Sequence, residues 1–161
     1  MKAVVQRVAD ASVTVGGAVR GQIKSGLLVY LGVAHNDSEA DADWLAEKIV
    51  HLRIFNDAES KMNLSLKDTA NSGLNSGLIG VLAVSQFTLL ADARKGRRPS
   101  WNAAALPEKA KELYEYFITK IREQGIVCES GEFQAHMKVS CINDGPVTIL
   151  LDTSELGCIK Q

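Results

Sequence analysis

The chain lacks most of what would mark a stapled, membrane-bound or strongly charged protein. It has three cysteines, Cys128, Cys141 and Cys158, and no Cys-x-x-Cys pair. That pattern points to neither a zinc knuckle nor a disulfide framework, and no metal is expected. Reduced thiols in a cytoplasmic protein are the expectation. No apolar run approaches the length of a membrane span. Lys2 and Arg7 flank a short alternating segment rather than the apolar stretch of a signal peptide. Net charge is -1, so there is no global attraction to nucleic acid. A pure nucleic-acid-binding module would be basic. Internal repeats, low-complexity tracts and linkers are also missing. What remains is 161 residues, 46% hydrophobic and 23% charged. This is the composition of a soluble globular protein, expected to form a single domain over 1–161 with a sizeable core.

Valine-rich segments at Ala3 to Val8 and Ser12 to Val15 read as two strands. Gly16-Gly17 is a tight hairpin signal. A strand near Ala18 to Ile23 and the apolar run Leu27 to Val33 follow, giving an antiparallel amino-terminal part. Ser38 with Asp41 forms a capping-box variant. The helix after it places Trp44, Leu45, Ile49, Leu52 and Phe55 on one face. Asp68 to Gly77 is dense in Asn, Ser, Gly and Thr and reads as a loop. Leu78 to Val84 is a buried strand. Pro107 suits the first turn of a second helix. Its stripe runs through Leu113, Phe117 and Ile121, and Gly125 closes it. Strands at Ile126 to Glu129, Met137 to Ile142 and Val147 to Leu151 complete an α+β fold. Its antiparallel sheets form a barrel-like core, with two long helices packed on the sheet faces.

Two segments carry chemistry. Ser85-Gln86-Phe87-Thr88 places three hydrogen-bonding side chains where a buried strand ends. Alone, it is equally a polar strand end with a core phenylalanine. A hydroxyl nucleophile there needs a base within reach, and only His35, His51 and His136 are available. His51 lies inside the first helix, and His35 sits at a strand-to-helix turn where solvent is the default. A Ser-His-Asp arrangement is not expected. The second segment is Asn143-Asp144-Gly145-Pro146-Val147-Thr148. Proline makes a cis peptide cheap, yet cis accounts for only about 5–6% of X–Pro bonds in folded proteins. By that measure alone a trans turn wins. Arg7 is an odd isolated charge in the middle of a strand.

These segments together resemble the D-aminoacyl-tRNA deacylases, once called D-tyrosyl-tRNA deacylases. The resemblance covers nearly the whole chain. It begins with Met1-Lys2-Ala3-Val4-Val5-Gln6-Arg7-Val8 and Ala11-Ser12-Val13-Thr14-Val15. Gly26-Leu27-Leu28-Val29, Leu31-Gly32-Val33 and Asp41-Ala42-Asp43-Trp44-Leu45 continue it. Leu52-Arg53-Ile54-Phe55, Lys61-Met62-Asn63-Leu64-Ser65 and Arg94-Lys95-Gly96-Arg97-Arg98-Pro99-Ser100 follow in order. The family often has a shorter connection near Asp68 to Gly77, which implies a small insertion here. It commonly has an acidic residue at the position of His136, so His136 is not read as a shared base.

The resemblance implies hydrolysis of the ester of a D-aminoacyl-tRNA, with release of D-amino acid and tRNA. It also implies cleavage of glycine mischarged on tRNA-Ala. The catalytic segment would be Ser85, Gln86, Phe87 and Thr88. Backbone N–H groups at Phe87 and Thr88 would stabilise the oxyanion, the ribose hydroxyl would assist, and no cofactor would be needed. Gly145-Pro146 would be cis, enter the active site of a homodimer partner, and leave no room for an L side chain. Arg7 would orient its carbonyls. Phe133 and Met137 match positions near the pocket wall, though both also suit core packing. The Arg94, Lys95, Arg97 and Arg98 cluster is either a solvated loop or a contact for tRNA phosphates. Two other functions stay open. One is an L-aminoacyl or general ester hydrolase with Thr88 as nucleophile. The other is a non-enzymatic nucleic-acid-associated module.

Overall fold

The computed structural model describes residues 1–71 and 78–158. The chain opens with β1 (Lys2–Val15), a single 14-residue strand where two were expected. The strand stays continuous because one edge of β1 follows the same partner strand from Lys2 to Thr14, across two register shifts. Gly16 (φ 58°) and Gly17 (φ 86°) make the tight turn into β2 (Ala18–Ile23), and β3 (Gly26–Gly32) follows.

The helix α1 (Glu39–His51) begins at the expected capping box, with the Asp41 carboxylate accepting from the Ser38 N–H at 2.9 Å. Leu45, Ile49 and Val50 are buried on its inner face. It stops before Leu52, so Phe55 lies outside the helix, in β4 (Phe55–Asn56), which pairs with β5 (Met62–Leu64). The helix α2 (Leu66–Asn71) then corrects the loop expected from Asp68. A second Ser-x-x-Asp box starts it: Asp68 Oδ2 accepts from the Ser65 N–H at 2.9 Å, and Asp68 N–H donates to Ser65 Oγ at 3.1 Å. The remainder of that expected loop lies outside the described residues.

β6 (Gly80–Ser85) follows, then α3 (Pro107–Glu123) with proline in its first turn, β7 (Val127–Ser130), and β8 (Lys138–Asp152). β8 is one 15-residue strand, not the two expected, so the Gly-Pro segment sits inside it. In the main sheet the order is β2-β1-β3-β6-β7, with β8 on the other edge of β1. The α+β expectation holds, with one difference in pairing. β3–β6 and β6–β7 are parallel, and the rest of this sheet is antiparallel. Parallel neighbours require crossover connections, and these are the segments carrying α1 and α3.

β3 and β6 are buried on both faces, which explains their unbroken apolar sequences. Leu27, Val29, Leu31, Val81 and Ala83 join a core with Leu45, Ile49, Phe117 and Ile121 from the helices. Leu28, Leu82 and Val84 face the other way, into the barrel, with Val8, Val13 and Ile23. The barrel nearly closes where β2 meets β6 and β7. A Cβ on Gly21 would lie 2.6 Å from the Ser130 carbonyl oxygen and 3.0 Å from Leu82 Cδ1. No helix among the described residues is long and apolar enough to cross a membrane.

The parallel pairing of β3 with β6 depends on a glycine contact. Gly26 has φ +142°, and a Cβ there would sit 2.0 Å from the Gly80 carbonyl oxygen. Gly26→Ala should cost at least about 1–3 kcal/mol from backbone strain alone, before the clash is relieved. Urea denaturation followed by circular dichroism should show the loss as a lower midpoint.

Candidate active site

The carboxyl ends of the parallel strands β3, β6 and β7 lie side by side, and the candidate site is built there. β6 ends at Ser85, opposite Leu31 of β3. The Gln86 N–H makes a last ladder bond to the Leu31 carbonyl at 2.8 Å. The chain then folds into a 3₁₀ turn, Phe87–Leu90, closed by Leu89 N–H to Gln86 O at 3.2 Å. Gly32 allows the turn to press on β3, since a Cβ there would meet Leu90 Cδ2 at 2.5 Å and Gln86 O at 3.0 Å. The first N–H groups of a helical turn have no acceptor within it. Here they belong to Phe87 and Thr88. The Gln86 side-chain amide donates to Thr88 Oγ1 at 2.5 Å, so that hydroxyl accepts from a group that cannot act as a base.

Beside this strand end lies an open cavity of about 790 Å³, within the range of small-molecule sites. Ser85, Gln86 and Phe87 form one wall. Phe133 and Met137 form another, in the segment that follows β7. Gly131 N–H to Ala83 O, at 3.0 Å, ties that segment to β6. Gln134 then turns with φ 62°, an unusual conformation for a residue with a side chain. Phe133 packs on the Tyr114 ring at 6.1 Å. Tyr114 donates to the Ala83 carbonyl at 2.8 Å, and burial pushes its phenol well above the ordinary range, keeping it a donor. Ala104 and Ala105, held by Ala105 N–H to Val33 O at 2.9 Å, leave room on the third side.

The Gly145-Pro146 peptide is cis. Gln6 pairs with Thr148 and Val8 with Asn143, so the four residues Asp144 to Val147 stand opposite Arg7 alone. This extra length pushes Gly145 and Pro146 out of the ladder, where both are exposed. Asn143 spans the base of the protrusion, its Nδ2 donating to Arg7 O and Val147 O at 3.0 Å each. Beneath it Arg7 is buried, at 7% exposure. Its Nη1 donates to Ile54 O at 2.6 Å. Its Nε lies 3.0 Å from Asp144 Oδ2, an ion pair off the N–H direction rather than a hydrogen bond. A Cβ on Gly145 would be 3.0 Å from Arg7 Nη2, so the guanidinium packs directly under that glycine.

Arg94, Lys95, Arg97 and Arg98 are exposed on a lobe closed by paired backbone bonds between Asp92 and Ser100, at 2.8 and 3.0 Å. Arg94 is committed to Asp92. Its side-chain hydrogen bonds hold the Asp92 carboxyl well below the usual carboxylate range.

The expected site residues thus fall into three groups. Ser85, Gln86, Phe87, Phe133 and Met137 share the cavity. Thr88 is next to Phe87 but does not line it. Arg7, Gly145 and Pro146 form a separate cluster, and the basic residues a third. Of the histidines, His35 Nε2 lies 2.5 Å from Asn102 O and His51 Nδ1 lies 2.9 Å from Glu47 O. His136 lines the cavity, a placement that no local signal indicated. Among the described residues, none of the three hydrogen-bonds Ser85 or Thr88. Trp101, whose ring meets Phe87 edge-to-face at 5.7 Å, also went unread. It carries no motif of its own.

A family model described as D-Tyr-tRNA(Tyr) deacylase matches residues 4–152. Proteins named D-aminoacyl-tRNA deacylase from Koribacter versatilis and Thermosipho melanesiensis are 58% and 56% identical over 155 and 157 residues. Those matches span 96% and 97% of this chain and 99% of each relative. A solved structure described as c-Myc DNA Unwinding Element Binding Protein has a TM-score of 0.84 and 38% identity, covering 94% of this chain and 98% of that one.

The Asn143 bonds should matter for stability. Asn143→Ala removes both at once, and a loss of about 1–3 kcal/mol is expected for the half-buried groups left behind. Equilibrium urea unfolding of the two proteins measures it directly.

Proposed function

The chain belongs to the D-Tyr-tRNA(Tyr) deacylase family, and on that premise we propose how its residues carry out ester hydrolysis on D-aminoacyl-tRNA. The activity itself, a hydrolase acting on the aminoacyl ester, follows from membership and from the named relatives. One observation supports placing it in the cavity. The end of β6 and the segment after β7, far apart in sequence, line one opening at the carboxyl ends of parallel strands. Ligands favour that end of parallel sheets.

In this reading the 3′-terminal adenosine and its aminoacyl group enter beside Ser85, Gln86 and Phe87. Water adds its hydroxyl to the acyl carbon, the ester C–O bond breaks, and the ribose oxygen takes a proton. Free D-amino acid and tRNA leave. The N–H groups of Phe87 and Thr88 face the developing oxyanion. Such donors typically contribute about 2.7–4 kcal/mol to lowering the barrier. The neighbouring ribose hydroxyl assists. The Thr88 hydroxyl, held by the Gln86 amide, supports the turn and does not attack. The Phe87 ring packs on substrate, and Phe133 and Met137 shape the far wall.

Gly145 and Pro146 do not line the cavity of their own chain. Their exposure suits a role in a second copy, where the carbonyls would occupy the space an L side chain needs. Rejection by exclusion requires no reading of the D side chain, and it leaves glycine, including glycine mischarged on tRNA-Ala, as a substrate. The edge of β8 supports the dimer. Among the described residues β8 pairs with β1 alone, and Ile142 and Leu150 on it are 63% and 76% exposed. An unpaired edge with apolar side chains favours a partner. With Arg94 held by Asp92, Lys95, Arg97 and Arg98 would meet phosphates of the acceptor end in the cytoplasm.

The 38%-identical solved relative, a c-Myc DNA Unwinding Element Binding Protein, favours one other reading, a DNA-binding module. A net charge of -1 provides little general affinity for it.

Hydrolysis of matched D- and L-tyrosyl-tRNA decides between them. The D ester should be cleaved at least about a hundredfold faster, since a steric clash costs several kcal/mol. Replacing the terminal 2′-hydroxyl by hydrogen should slow cleavage strongly. Thr88→Ala should cost only about tenfold, the worth of one hydrogen bond, against about a millionfold when a true triad nucleophile is lost. Equal rates on both enantiomers, or an acyl group trapped on Thr88 in rapid quench, would overturn the proposal.

A further inference from the structure

Phe87 and Trp101 are the aromatic rings left exposed among the described residues, at 55% and 38%. Large aromatic side chains ordinarily bury most of their surface. The two rings meet edge-to-face, with centroids 5.7 Å apart and planes at 64°. That arrangement leaves ring faces free for a flat partner. Phe87 belongs to the cavity wall and Trp101 does not, so the aromatic pair continues beyond the residues that line the cavity. Its backbone is held: Ala104 N–H bonds to Trp101 O at 3.0 Å, and the preceding Ser100 pairs with Asp92. The basic lobe begins on the other side of that pairing. Arg94 is taken by Asp92, but no partner engages Lys95, Arg97 or Arg98 among the described residues.

Trp101 thus touches the cavity wall through Phe87 and follows directly on the lobe that carries the free cations. Single-stranded nucleic acid is held by this combination, with bases stacked on aromatic rings and phosphates on a basic groove. We propose that Trp101 stacks the nucleobase of the unpaired nucleotide that precedes the aminoacylated adenosine. Phe87 keeps the terminal residue, and Lys95, Arg97 and Arg98 meet the phosphates between and beyond. This rests on the reading of the cavity given above. Support of Phe87 alone does not account for an indole more than a third exposed that follows directly on a lobe with three cations unpaired among the described residues.

The test compares D-tyrosyl esters of adenosine and of the trinucleotide CCA, using the full chain, Trp101→Ala and Trp101→Phe. The readout is the ratio of kcat/KM on the trinucleotide to that on adenosine, which cancels any loss of folded protein or shift of Phe87. Trp101→Ala should lower this ratio about tenfold, and Trp101→Phe should keep most of it. An unchanged ratio in Trp101→Ala, or an equal fall in Trp101→Phe, overturns the proposal. If the unaltered chain cleaves neither ester, the cavity reading fails, but stacking is still measured separately. Uncharged CCA should quench the indole fluorescence of a Trp44→Phe protein saturably, and absence of quenching overturns the assignment of Trp101.

Discussion

A buried guanidinium organises the most unusual part of this structure. Arg7 lies on the inward row of β1 with Ala3 and Val5, where a charge must find partners or forfeit its solvation. It takes Ile54 O from the segment after α1 and the Asp144 carboxylate from β8. To provide that carboxylate, β8 uses four residues where β1 uses one. The surplus becomes the Gly145-Pro146 protrusion, and Asn143 fastens its base. A glycine is required at the contact, because a side chain at Gly145 would run into both Val147 and Arg7. Charge burial, bulge and exposed cis peptide are one linked arrangement. The removal of Arg7 would leave Asp144 and Ile54 O without their partner, so the protrusion and the strand beneath it stand or fall together.

The cavity follows from a different constraint. β3 and β6 carry apolar residues on both faces and can exist only between two covering layers. Helices cover one face and the nearly closed barrel covers the other. The crossovers that place those helices make β3, β6 and β7 parallel. All three therefore end on the same side of the sheet. Their exits, at Val33, at Ser85 to Phe87 and at Phe133 to Met137, have to diverge there, and the opening is the space between them. At that end Gly32 lets the turn after β6 press on β3, while Gly26 and Gly80 bring the strands together at their opposite ends.

The two constraints place the cavity and the cis peptide at two separate positions on one chain. Beside the cavity wall formed by Phe87, the Gln86 amide holds the Thr88 hydroxyl. The cis peptide stands outside the cavity. A reading in which one copy completes the site of another joins the two with no further assumption about the fold. The proposed contact between copies would also cover the apolar edge of β8 at Ile142 and Leu150.

Local signals were legible in the residues themselves. Ser38 with Asp41, Gly16-Gly17, Pro107 with its apolar stripe, and the strand ending at Ser85 each act within a few residues, through capping, turn geometry and side-chain periodicity. The same physics was present in Ser65 and Asp68, but the polar residues that follow concealed it. The family, and with it the general chemistry, was readable from ordered motifs over nearly the whole length. Tertiary structure alone decided what depends on distant partners. The β1–β8 ladder fused four expected strands into two, parallel pairing replaced part of an antiparallel sheet, and Arg7 went from an odd strand charge to a buried brace. Trp101 gained its meaning only beside Phe87. Hydrogen-bond pairing and burial are set by which segments meet across the chain, and no short stretch of sequence contains that information.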